Sequence, residues 1–338
     1  MSSLKVNKKE NKLESSNQID IIDECKGAAT IGISGHIRPD GDCVGAVLAL
    51  YQYLQKALPE SKVEVLLEQP SSIFSCIKGF DRIQTQYETE QNYDVFFSLD
   101  CDKTRLGDAE HLFDRAGKRI HIDHHISNQG CGDLNYVVPT ASSTSELIYD
   151  LIPEAYLDQE IAKALYIGII HDTGVFQYTN TAPKTLLIAS KLITYGFDYA
   201  KIIQETFYEK TYVQNQILGR TLLESMLLMN GQCIVSVLDK KTMDFYGVTS
   251  KDLDGIVNQL LNTKGAEVAI FLYEMSNMAY KISMRSKQRV NVAKVAAMFG
   301  GGGHIKAAGC TMNGTFHDVI NNLSARIEVQ LLENKQEA

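Results

Sequence analysis

Four short segments of this 338-residue chain gather carboxylates and imidazoles at spacings that suit cation chemistry. They are His36-Ile-Arg-Pro-Asp40-Gly-Asp42, Ser98-Leu-Asp100-Cys-Asp102, Ile122-Asp123-His124-His125 and His171-Asp172-Thr173-Gly174. Carboxylates crowded together repel, and some of them titrate upward. Divalent cations remove that cost. Several Asp with two or three His suit Mn2+ better than an all-oxygen Ca2+ site or a thiolate Zn2+ site. Two such ions ~3.5–4 Å apart, bridged by one carboxylate, can supply a nucleophile and clamp a phosphate for in-line attack. Each segment alone has a plainer use. An Asp after a strand often caps a turn or helix, and Asp40 and Asp42 could do so for a helix beginning at Cys43. The case for chemistry is that four such segments fall at equivalent places.

Those places are set by the elements around them. Ala29–Ser34, Val63–Leu67, Tyr93–Leu99 and Arg119–Ile122 read as strands. Helical patterns occupy Val44–Leu58, Ala109–Ala116, Glu160–Ile170 and Lys184–Tyr195. Strands alternating with helices predict a mainly parallel sheet covered on both faces. Ligands bind such a sheet in the crevice beyond the carboxyl ends of its strands. Three of the segments directly follow strands, and the fourth follows the Glu160–Ile170 helix, so all four converge on one crevice. A longer amphipathic stretch, Tyr212–Met229, reads as a connecting helix. The pattern restarts after Asn230-Gly231 with strands at Cys233–Leu238, Val268–Tyr273 and Met278–Met284. A helix at Asn291–Phe299, four glycines at Gly300–Gly303 and a closing helix at Phe316–Leu332 follow. The expected organisation is a polar tail over 1–16, a catalytic α/β domain over 17–196, a helical linker over 197–230 and a smaller α/β domain over 231–333.

Composition narrows the function. With 33 Lys+Arg against 41 Asp+Glu, the formal net charge is -8. That balance argues against life on long duplex nucleic acid, where phosphate neutralisation by basic side chains supplies most of the affinity. It leaves room for a small phosphorylated ligand. The seven cysteines are odd in number, form no C-x-x-C and follow no secretion signal, so reduced thiols in a cytoplasm are expected. No apolar run approaches the length a membrane helix needs.

Asp123-His124-His125 within the run HIDHH resembles the signature of the DHH phosphoesterase superfamily. His36, Asp40 and Asp42 as H-x-x-x-D-x-D, the strand-end Asp100, and Asp172 match its other motifs in order. Gly301-Gly-Gly-His304-Ile-Lys-Ala307-Ala308-Gly309 resembles the glycine-rich hallmark of its DHHA1 substrate-binding domain. Together the motifs span roughly residues 20–332, and the subgroup they resemble comprises the stand-alone oligoribonucleases that are also 3′-phosphoadenosine-5′-phosphate (pAp) phosphatases.

The resemblance implies two divalent cations, Mn2+ first, with Mg2+ or Co2+ as substitutes. His36 and Asp40 would hold one, Asp42, His124 and Asp172 the other, and Asp100 would bridge. It implies His125 as phosphate contact or general acid, and Asp123 as the group that orients the histidines. By pattern alone Asp102 competes with Asp100 for the bridging role. Substrate contacts are expected from Arg285, Ser286, Gly301, Gly302, Gly303 and His304, and more weakly from Arg105. Glycines let backbone amides approach a phosphate, and Arg suits bidentate phosphate recognition. His121 and His171 are expected to pack rather than ligate, and Ser142–Glu146 to cap a helix whose start could also meet a phosphate. The implied partners are short RNA oligonucleotides and pAp, with neither membrane nor long duplex, and a homodimer is compatible. The competing enzyme reading is a phosphodiesterase of cyclic dinucleotides or pApA, and the competing class is a nucleotide sensor without catalysis.

Overall fold

The computed structural model describes residues 19–336 apart from 88–90, 127 and 277; the expected tail over 1–16 lies outside the described residues. The chain divides into two compact units, one ending at Glu209 and one beginning at Lys210.

In the first unit a short helix α1 (Ile21–Glu24) precedes β1 (Thr30–Ser34), α2 (Gly41–Ala57), β2 (Lys62–Leu66), β3 (Ile83–Gln84) and β4 (Val95–Leu99). Then come α3 (Glu110–Arg115), β5 (Lys118–Asp123), β6 (Leu134–Val137), α4 (Thr144–Leu151), α5 (Gln159–Asp172), α6 (Pro183–Ile193) and α7 (Tyr199–Ile203). The six strands form one sheet in the order β3-β2-β1-β4-β5-β6, and every pairing is parallel. The parallel sheet with helices on both faces is the architecture the alternating pattern predicts. Strand order reverses between β1 and β4, which opens a crevice at their carboxyl ends.

Two apolar layers sandwich this sheet. The larger packs α2, α4, α5 and α6 on one face, and a smaller one gathers Phe96, Leu106, Leu112 and Phe113 on the other. Helices α2 and α5 approach closely because Gly45 faces Gly168. A Cβ on Gly45 would meet the Ala164 carbonyl oxygen at 2.6 Å and Gly168 N at 2.9 Å. Helix α5 runs two residues further than its apolar pattern, so His171 and Asp172 end the helix rather than follow it.

The second unit runs α8 (Tyr212–Leu223), β7 (Met226–Leu228), β8 (Cys233–Leu238), α9 (Lys240–Tyr246), α10 (Ile256–Leu261), β9 (Val268–Ser276) and β10 (Ala279–Ser286). It closes with α11 (Val292–Ala297), β11 (Gly302–His304), β12 (Ala307–Asn313) and α12 (Phe316–Gln336). Its sheet order is β11-β12-β10-β9-β8-β7, antiparallel except for β8 with β9. The expected Tyr212–Met229 helix is corrected here: it stops at Leu223. Met226–Leu228 instead pairs with β8 through a tight turn in which Met229 and Asn230 both have φ 54°. Apolar residues at 222, 223, 226 and 227 continue a helical period by coincidence, and Asn230-Gly231 is a hairpin turn. Strand β12 is an Ala/Gly-rich segment, AAGCTMN, that cross-strand pairing holds extended against its own propensity.

Candidate metal centre

His36, Asp100 and His124 lie one or two residues beyond the ends of β1, β4 and β5, so the sheet register alone brings them to the crevice. His36 is 3% exposed. Its Nδ1 lies 2.8 Å from the Ile37 carbonyl oxygen, a contact in which the ring donates, and this directs Nε2 at Asp40 Oδ1 (3.6 Å) and Asp100 Oδ2 (3.5 Å). Burial alone would lower this imidazole. The Asp100 and Asp40 carboxylates outweigh burial and push it up to about 10, so the pocket demands positive charge.

Asp40 is also the N-cap of α2, accepting from Asp42 N–H and Cys43 N–H, each at 3.1 Å. The plain capping role and the place beside His36 therefore coexist in one side chain. Asp42 sits in the first turn of α2, 1% exposed. Burial, then repulsion from Asp100, lifts its carboxyl to about 7.

Asp100 follows β4 directly at φ 62°, a left-handed conformation that costs a non-glycine residue energy. It is 2% exposed, and its two oxygens face different groups. Oδ2 faces His36, whereas Oδ1 lies 3.6 Å from His124 Nε2 and 3.8 Å from His125 Nδ1. Asp172, the last residue of α5, brings Oδ2 within 3.3 Å of His124 Nε2. Burial, then the Asp42, Asp100 and Asp40 carboxylates, drives Asp172 well above the usual carboxylate range. Three donor groups result among the described residues: His36, Cys43 and Asp100; Asp42, His124 and Asp172; and Asp100, Asp123, His124 and His125; in each the ligand atoms lie within 4.8 Å of one another. His124 Nε2 is buried with no hydrogen-bond partner, aimed between two carboxylates. A buried ring nitrogen left so is costly unless it is a ligand atom, and this residue set fits divalent cations.

Asp123 is fully buried and organises the histidine pair. It accepts from His124 N–H (2.7 Å), His125 N–H (3.2 Å), His125 Nδ1 (2.7 Å) and the Asn128 amide. That bond from Asp123 raises His125 above the ordinary imidazole value and favours its protonated form. Asp102 is absent from the cluster. It is exposed and caps the turn at Lys103–Arg105, accepting from Thr104 N–H at 2.9 Å. The half-buried Arg105 braces the His36 loop through its carbonyl, which accepts from Ile37 N–H at 2.8 Å. His121 contacts Ser98 Oγ and Asn128, and His171 contacts Thr206 Oγ1 and packs on Phe74 and Phe207.

Sequence reasoning took the Ser142–Glu146 segment as capping, with a phosphate as the other customer for the helix start. Ser143 does cap α4, accepting from Glu146 N–H at 3.1 Å. The amides of Thr144 and Ser145, however, both donate to Asp42, and the Thr144 hydroxyl donates to Asp100. The sequence singles out this segment, but not its contacts to the two carboxylates. The available signal was the S-x-x-E capping pattern, which locates a helix start but not what that start faces.

In the second unit, Arg285 on β10 and His304 on β11 both pair with Ala307 of β12. Directly paired residues share a face, so the three form one row across adjacent strands. Arg285 Nη1 donates to the Met284 carbonyl at 3.1 Å. Ser286 is buried, and its hydroxyl donates to the Val290 carbonyl at 2.7 Å. Gly302, Gly303 and His304 form an edge strand rather than an open loop. A Cβ at Gly301 would strike Cys310, and one at Gly303 would lie 2.5 Å from the Ala307 carbonyl oxygen, so β12 demands both glycines. Gly302, like Gly300, faces open space.

Residues 30–169 match the DHH family, N-terminal domain, and residues 230–332 match the DHHA1 domain. A Streptococcus mutans relative named "Probable bifunctional oligoribonuclease and PAP phosphatase NrnA" is 30% identical over 294 residues, 86% of this chain and 91% of that protein. The Bacillus subtilis protein named bifunctional oligoribonuclease and PAP phosphatase NrnA is 28% identical over 288 residues, 84% of this chain and 89% of its own. Among solved structures, an exopolyphosphatase-related protein from Bacteroides fragilis matches with a TM-score of 0.83 at 26% identity, covering 90% of this chain and 94% of that one.

Proposed function

The chain belongs to the DHH family of phosphoesterases, and we propose that it hydrolyses short oligoribonucleotides to mononucleotides and pAp to AMP. The observation that carries this reading is Asp100 itself, whose Oδ2 faces His36 and whose Oδ1 faces His124, so that one carboxylate lies between two sets of donors. His36 and Asp40 would hold one divalent cation and Asp42, His124 and Asp172 a second, with Asp100 common to both. The Asp/His donor set favours Mn2+. When bound, such ions polarise a phosphoryl oxygen and lower the pKa of water.

The protein's own groups do the rest. Asp123 accepts from His125 Nδ1 and raises the tendency of that imidazole to carry a second proton, which suits His125 as the donor to the leaving oxygen. The Ile37 carbonyl fixes the His36 tautomer. Arg285 and His304, in one cross-strand row, are the anchors for the substrate's remaining phosphate. The substrate classes come from the names of the relatives from S. mutans and B. subtilis, and the net charge of -8 favours short substrates over long ones. In this reading catalysis belongs to 17–196 and substrate recognition to 231–333.

The test offers purified protein, with Mn2+, pAp, pApA, a five-nucleotide RNA, a long RNA, cyclic di-AMP and pyrophosphate side by side. Turnover of pAp and the short RNA is expected to dominate. Preference for pyrophosphate, cyclic di-AMP or the long RNA overturns the reading. Asp100→Asn is expected to lower turnover by at least ~100-fold while leaving the far-UV spectrum unchanged, because losing a ligand costs more than losing a ligand's hydrogen-bond partner.

A further inference from the structure

The first turn of α4 touches two of the crevice carboxylates at once. Thr144 N–H donates to Asp42 Oδ2 at 2.6 Å, and Ser145 N–H donates to Asp42 Oδ1 at 2.9 Å. The Thr144 hydroxyl donates to Asp100 Oδ1 at 3.0 Å. Both residues are fully buried, at 0% exposure. The turn is braced from behind. Glu146 Oε2 accepts from the hydroxyls of Ser142 (2.6 Å) and Thr185 (2.7 Å). The Asn180 amide donates to the carbonyls of Ser142 (2.8 Å) and Asp172 (3.1 Å), which carries the same scaffold to a third carboxylate-bearing residue.

A helix start leaves amides that need acceptors. Here they are spent on the protein's own carboxylate. A hydroxyl suits the Asp100 side because it occupies one lone pair of Oδ1 and leaves the rest of the carboxylate available. With Oδ1 held there, Oδ2 is directed at His36.

We propose that Thr144 is a positioning residue: its hydroxyl sets Asp100 and its amide, with that of Ser145, sets Asp42, so that one helical turn presents both carboxylates to divalent cations in a fixed relation. This rests on the two-cation reading above. Hydrogen-bond partners of metal ligands are typically worth about 10–100-fold in metal affinity, and that figure sets the expected size.

The experiment is Mn2+ titration by calorimetry of EDTA-stripped, dialysed wild type, Thr144→Val and Thr144→Ser. Wild type and Thr144→Ser are expected to agree within about 2-fold, and Thr144→Val to bind at least ~10-fold more weakly. A role confined to packing would lower the melting temperature of Thr144→Val and leave its Mn2+ affinity alone; that result overturns the proposal. So does a Thr144→Ser protein as weak as Thr144→Val. If Thr144→Val does not fold, Thr144→Ala is titrated against the same criteria. A wild-type protein that binds no Mn2+ overturns the cation reading itself, an outcome distinct from unequal binding by the variants.

Discussion

Asp100 does three things with one carboxylate: it accepts from Thr144, faces His36 with one oxygen, and faces His124 with the other. Its neighbours carry the electrostatic cost. Burial holds Asp42 up to about 7, and Asp100 with Asp40 holds His36 up to about 10. Both groups bind protons more tightly folded than unfolded, so their contribution to stability is present at low pH and lost as pH rises through the folded values. His121, lowered by burial, runs the other way. The melting temperature of EDTA-treated protein is therefore expected to fall between about pH 5 and pH 8, and Mn2+ to restore it at the upper end. A flat profile in differential scanning calorimetry counts against this charge balance. At this scale much of the site is legible in the sequence, because ligand residues must be Asp or His at the ends of elements. Asp102 is separable from Asp100 only by where the chain turns, and Thr144 was hidden because threonine at a helix start has an ordinary explanation.

Elements are placed by close approaches that a sequence pattern does not announce. Gly45 and Gly168 let α2 and α5 touch, and a Cβ on Gly168 would also lie 2.8 Å from Asp42 Oδ1. Gly45→Ala is expected to cost about 1–3 kcal/mol in urea unfolding, since its neighbours are rigid backbone. Gly302→Ala, facing open space, is expected to stay within about 0.5 kcal/mol of wild type. Equal effects at the two positions would contradict the packing described. The central strands of the first sheet were readable as buried apolar runs. Strands β7 and β12 were not, one masked by an accidental helical period and the other composed of alanine and glycine. The four glycines drew attention as a phosphate loop, yet at Gly301 and Gly303 the reason is the strand beside them.

As a whole the molecule joins a parallel α/β unit to a mainly antiparallel one, each with its own core. No described helix is long and apolar enough to cross a membrane, and all seven cysteines are free. The net charge of -8 favours the proposed short substrates over a long cationic track. Contact with one or two phosphates gives a slope of log affinity against log salt of about -0.7 to -1.4 for single strands. The KM for a short RNA, measured across salt concentrations, is expected to follow that shallow line. A slope several times steeper would require a cationic track along a longer chain.

The row Arg285–Ala307–His304 has a geometric consequence of its own. Its outer members sit on strands two spacings apart, roughly 9–10 Å in an ordinary sheet, with only a methyl group between them. The backbone ladders fix the spacing of the two Cα positions, so the separation from which an Arg and a His side chain reach outward is set by the sheet and not by a loop.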